Sequence, residues 1–117
     1  MTTSLEGWNP SEFNQLLLKV IDEQLKGIFG ESGAQLIYSH LANHHSLKKE
    51  EIPENIEVFA RALEDFLGSG AHAIESLLLR KIYSKFGRAF KENCGFGESI
   101  ARLRNFWIRE HLKRLDW

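Results

Sequence analysis

The chain has 117 residues, 43% hydrophobic and 26% charged, a size and balance that bury a core as one domain and argue against disorder. Its single cysteine, Cys94, excludes an internal disulfide and a cysteine-built zinc site, and points to a reducing, cytoplasmic setting. Residues 1–6 have neither a basic cap nor an apolar stretch, so no signal peptide is expected, and the leucine runs at 16–18 and 77–79 are broken at once by Lys19 and Arg80, too short to span a bilayer.

The first predicted helix opens at Asn9, a good cap, followed by Pro10 and by Glu12 where a capping-box carboxylate belongs. Trp8 and Phe13 are placed to form a hydrophobic staple. Phe13, Leu16, Leu17, Val20, Ile21, Leu25, Ile28 and Phe29 recur at spacings of three and four, drawing one apolar stripe. Gly30 is expected to end it. A second helix starts with Ser32 as its cap, carries Ala34, Ile37, Tyr38 and Leu41 on its apolar face, and fades near His44 and His45.

A polar link through Lys48, Lys49, Glu50 and Glu51 leads to Ile52-Pro53. The third helix follows, with Ile56, Phe59, Ala60, Leu63, Phe66 and Leu67 at helical spacing up to Gly68. Ser69 is read as the cap of a fourth helix whose stripe is Ala71, Ile74, Leu77, Leu78, Ile82 and Phe86, closed by Gly87. Residues 93–97 read as a loop, and a fifth helix runs from about 98 to 116. Nothing of useful length alternates with period two. The expected fold is all-α and a single domain over 1–117: hairpin 1 at about 9–46, hairpin 2 at about 53–87, and an amphipathic C-terminal helix.

The two hairpins repeat one another. Leu25, Ile28, Phe29, Gly30, Ser32, Gly33, Ala34, Ile37 and Leu41 match Leu63, Phe66, Leu67, Gly68, Ser69, Gly70, Ala71, Ile74 and Leu78, with Glu31 as one extra residue in the first copy. Each copy is a helix, a tight glycine turn and a second helix led by small residues. Neither hairpin can bury its apolar face alone, so two copies related by a pseudo-twofold would cover each other.

Charge is polarised along the chain. Residues 1–79 carry five basic and twelve acidic side chains, and residues 80–117 carry ten basic and four acidic, within a net charge of −1. Such polarity suits a basic end that folds back on the acidic body or on a second copy; a separate anionic partner is the competing reading. The C-terminal helix is the most suggestive segment. Arg102, Arg104, Trp107, Arg109, Lys113 and Arg114 are the candidate contacts to a partner or to phosphate, with Arg102, Arg109 and Lys113 on one polar side. Core packing with a shared dimer seam is the first reading, phosphate contact the second, and an interfacial membrane helix the third.

Other patterns carry less chemistry. His40 and His44 stand at i and i+4, beside His45, and a third metal ligand would come from His72 or a carboxylate. The pattern lacks the glutamate of a zinc-hydrolase motif, and histidines also offset the dipole of a helix end, so no metal or other cofactor is expected. The turns at Gly30, Gly33, Gly68 and Gly70 offer backbone N–H groups to an anion, but without a P-loop lysine or a preceding strand, and helix closure is their expected role. Ser69 departs from the apolar residue preferred by the DNA-gripping helix-hairpin-helix module. No nucleophile stands beside a base, so no enzyme is expected.

Residues 25–87 resemble a small archaeal helical family of the Nitrosopumilus output domain type. The resemblance rests on Phe29-Gly30 with Gly33-Ala34, on Glu51-Ile52-Pro53-Glu54-Asn55, on Phe59 and Leu63, on the run from Phe66 to Ala71, and on Ile74, Ile82-Tyr83 and Phe86-Gly87. It implies a compact helical module with a regulatory or signalling-output role and assigns no catalytic residues. The tryptophan-rich end beyond residue 87 lies outside it. Together these readings predict a non-enzymatic regulatory or adaptor domain acting through protein–protein contacts, a homodimer, with nucleic-acid or anionic-surface binding as the alternative.

Overall fold

A computed structural model describes residues 10–91 and 94–115, with side chains for 12–91 and 94–110. Asn9 and the Trp8 staple lie outside the described residues. Four α-helices follow in order: α1 (Pro10–His45), α2 (Ile56–Leu67), α3 (Ala71–Lys85) and α4 (Phe96–Leu115), with 3-10 turns at Lys49–Glu54 and Gly68–Gly70. No strand occurs among the described residues. The fold is all-α.

The count is four helices rather than five, because helix runs continuously on both sides of Gly30. Only Gly30 departs from helical dihedrals, at φ 79° and ψ 172°, a combination open in practice to glycine alone. One residue nevertheless folds α1 back on itself. A straight helix of 36 residues would measure about 54 Å, longer than the 48 Å of the whole body. Across the bend the Tyr38 hydroxyl donates to Asp22 Oδ1 at 2.7 Å, joining residues equally far from the hinge. The arms 10–29 and 31–45 therefore form the expected hairpin, though without a loop. Ser32 lies within helix, not at a cap. Gly33 is where the arms come closest to the bend: a Cβ there would sit 2.7 Å from that of Phe29.

The second hairpin turns at Gly68, again with positive φ and extended ψ (62°, −133°). It spreads the turn over Gly68–Gly70, and the cap of α3 is Gly70, with no side-chain hydrogen bond. Ser69 does not cap it. Burial follows the repeat. Leu25, Ala34 and Leu41 are buried, as are Leu63, Ala71 and Leu78, while Ile28 and Phe66 are both exposed. Helix α3 ends as predicted at a left-handed Gly87, with Arg88 N–H donating to the Tyr83 carbonyl and Gly87 N–H to that of Ser84.

Helix α4 begins at Phe96, two residues earlier than expected, and Phe96 is buried rather than in a loop. The Glu57 carboxylate lies against Gly97, where a Cβ would collide with it; a carboxylate at a helix N-terminus is electrostatically favourable. Phe96, Ile100 and Leu103 complete a core shared with Phe13, Ile21, Phe59, Leu63, Leu78 and Ile82. Helix α4 thus closes the body formed by the two hairpins.

Candidate interaction face

Helix α4 has an inner and an outer side, and the predicted contact residues divide between them. Arg104 points inward. Its guanidinium donates to Asn14 Oδ1 at 2.6 Å and to the Pro53 carbonyl at 2.7 Å, and lies 4.6 Å from the centre of the Phe13 ring. Burial lowers its pKa, against the opposing field of Glu54. Its charge fastens α4 to α1 and to the 49–54 turn.

Trp107 also turns inward, packing against Phe13 and edge-on against Phe86 at ring separations of 6.1 and 6.0 Å, while Phe13 and Phe86 are 4.9 Å apart. This aromatic group ties the start of α1 to the end of α3 and to α4. Arg104 and Trp107 thus both help to hold the fold together, and Trp107 also lines the groove beside it. Arg102 and Arg109 are exposed, with Arg102 in an i,i+4 ion pair to Glu98 at 3.1 Å. The side chains of Lys113 and Arg114 lie outside the described residues.

Beside this aromatic group, the end of α3 and α4 enclose an open groove of about 340 Å³, lined by Phe86, Gly87, Arg88, Leu103, Phe106, Trp107 and Glu110. Arg88 lies over Phe106, its guanidinium carbon 3.4 Å from the ring centre, a cation–π contact. Arg80, Lys81, Lys85 and Lys91 are exposed on α3 and the following loop. Eighteen positions separate Arg88 from Phe106, so no local spacing in the sequence pairs them. The usable signal was the Gly87 stop, which turns the chain back toward α4.

Near the groove, the Tyr83 hydroxyl donates to the Ser99 carbonyl at 2.6 Å, and Cys94 Sγ lies 3.3 Å from Ser99 Oγ. Burial raises the pKa of Tyr83, so it remains a neutral donor at physiological pH. The first contact joins α3 to α4, and the second holds Cys94 against α4.

The predicted histidine set also divides. His40 and His44 stack at 4.7 Å between ring centres, and His45 lies 5.4 Å from His40. His72 belongs elsewhere, lining a small cleft with Glu75, Ser76 and Phe96. Gly30 and Gly68 carry the positive φ at the two bends. No helix of the described residues is long and apolar enough to cross a membrane. No family model, curated protein or solved structure matches the chain.

Proposed function

We propose that this chain is a non-enzymatic regulatory or adaptor domain that works by docking, with a second copy of itself as the first partner. The observation that carries the reading is the groove between α3 and α4, where Phe86, Phe106 and Trp107 meet the guanidinium of Arg88 and the carboxylate-bearing Glu110. Aromatic and arginine side chains are the usual anchors of protein interfaces. The opposite charge is exposed on the same chain, at Glu50, Glu51 and Glu54 of the 49–54 turn. In a twofold dimer one acid-to-base contact is made twice, so a chain with separated charge is complementary to itself. The output-domain resemblance of residues 25–87 agrees with a module of this kind, and cytoplasmic placement agrees with the lone thiol.

Sedimentation velocity on the full chain at micromolar concentration, with Arg88→Glu alongside, tests the reading. A dimer that Arg88→Glu converts to monomer supports it. The alternative, an anionic surface or nucleic acid meeting Arg102, Arg109 and the cations of α3, draws on the same exposed charge. It predicts a monomer that binds a labelled duplex and releases it steeply with added salt. Point substitutions are needed because deleting α4 would strip Phe96, Ile100 and Leu103 from the core.

A further inference from the structure

The second arm of α1 and the last turns of α2 bring together three side chains that share no role in the groove or the core. His40, His45 and Asp65 each offer one ligand atom, and the three atoms lie within 4.8 Å of one another. His45 Nε2 is 3.1 Å from Asp65 Oδ2. His40 Nε2 and His45 Nε2 are both shielded from solvent, and neither makes a hydrogen bond, the approach to Asp65 lacking the required alignment. A buried nitrogen without a partner costs free energy, roughly 1–3 kcal/mol for a neutral group. Two such imidazoles with a carboxylate within 4.8 Å form an arrangement that a cation would complete.

The surroundings favour positive charge. Helix α1 ends at His45 and α2 at Leu67, so both His45 and Asp65 belong to the carbonyl-rich, electronegative ends of their helices. The Phe66 ring, 5.2 Å from that of His40, walls one side and limits its rotation. The i, i+4 pair His40 and His44 suggested by spacing alone is not the ligand set: His44 is exposed, and His45 supplies the second inward nitrogen.

We propose that His40, His45 and Asp65 form a site for one divalent transition-metal ion of the zinc class. Two imidazoles and a carboxylate suit zinc at about 2.0–2.2 Å per bond, with a fourth position left to water or to a partner's side chain. Ligand atoms around such an ion stand about 3–3.5 Å apart by tetrahedral geometry. The His45–Asp65 distance already meets this, and the His40 ligand atom lies within 4.8 Å of both. The ion would clamp the first hairpin to the second, so its binding should stabilise the fold.

Calorimetric titration of Zn²⁺ into chelator-treated full-length protein without a histidine tag, paired with thermal melting, tests the site. One equivalent bound, with a rise in Tm, is expected. Asp65→Asn, at an exposed position, and His40→Gln should each weaken binding by more than about tenfold, since even outer-shell partners of metal sites are worth that much. His72→Gln should bind as the parent does. Absence of stoichiometric binding overturns the proposal, as does full affinity in Asp65→Asn. So does a loss in His44→Gln with Asp65→Asn unaffected, which would mark a simple histidine pair on one helix.

Discussion

The two hairpins share an apolar frame and differ in the polar groups laid over it. In the first, Tyr38 donates to Asp22, and Asp22 is also paired with Lys26 at 3.0 Å and Lys49 at 3.1 Å. Carried through the repeat, Tyr38 corresponds to Glu75, Asp22 to Ala60 and Lys26 to Glu64. The donor has become a carboxylate, its acceptor a methyl group and the supporting cation an anion. Glu75 Oε2 is buried with no hydrogen-bond partner. Its pKa is raised by burial first and by Glu64 second, with His72 acting in the opposite sense. For Asp22, burial works to raise the pKa, but the Tyr38 hydrogen bond and the two lysines outweigh it and hold it below the ordinary value. One scaffold therefore carries a fastened hairpin and a frustrated one. The apolar spacing is enough to set the hairpin; the polar groups tune its stability.

Substitution at the hinges bears hardest on this comparison. Gly30→Ala and Gly68→Ala should each cost roughly 1–3 kcal/mol in urea unfolding, because both dihedral pairs lie where only glycine is at ease. A Cβ would meet nothing at either place, so the cost is conformational. A negligible cost at one hinge alone would mean that the turns are not equivalent.

Tyr38→Phe comes next, at about 1.5 kcal/mol, the low end for a hydrogen bond to a charged group because the pair is only partly buried. Glu75→Gln has the opposite sign and the smallest size, a gain of less than about 1 kcal/mol at pH 7 after allowance for solvent screening. If Glu75→Gln destabilises, the second hairpin is fastened after all.

The signs with pH sharpen the contrast. Asp22 has its pKa depressed by folding, so its contribution is present above the ordinary 3.8 and is lost as pH falls through the lower folded value. Glu75 has its pKa raised, so its favourable contribution is full below the ordinary 4.5 and is lost as pH rises through the folded value. Unfolding series between pH 3 and 7 should show the Glu75→Gln gain vanish at the acid end. The Tyr38→Phe deficit should shrink only at the lowest pH.

Much of this architecture was legible in the sequence. Residues three and four apart marked the buried stripes, and matching glycines marked the hinges. The failures were of two kinds. Ser32 and Ser69 were read as caps because a new helix usually needs one, yet a single glycine dihedral lets helix resume without it. For Arg104, a helical wheel cannot show that Asn14, Pro53 and Phe13 converge on its side chain. His45 with Asp65, and Arg88 with Phe106, are joined only by the tertiary fold, so no local pattern reveals them.

The fold-back of α1 at Gly30 sets the position of everything packed on it. Spin labels at the exposed positions Lys19 and Ala42, in a Cys94→Ser background, measure this by pulsed dipolar spectroscopy. A folded-back α1 predicts a separation well below about 25 Å. A distance near 35 Å, the length of a straight helix over that stretch, would contradict it.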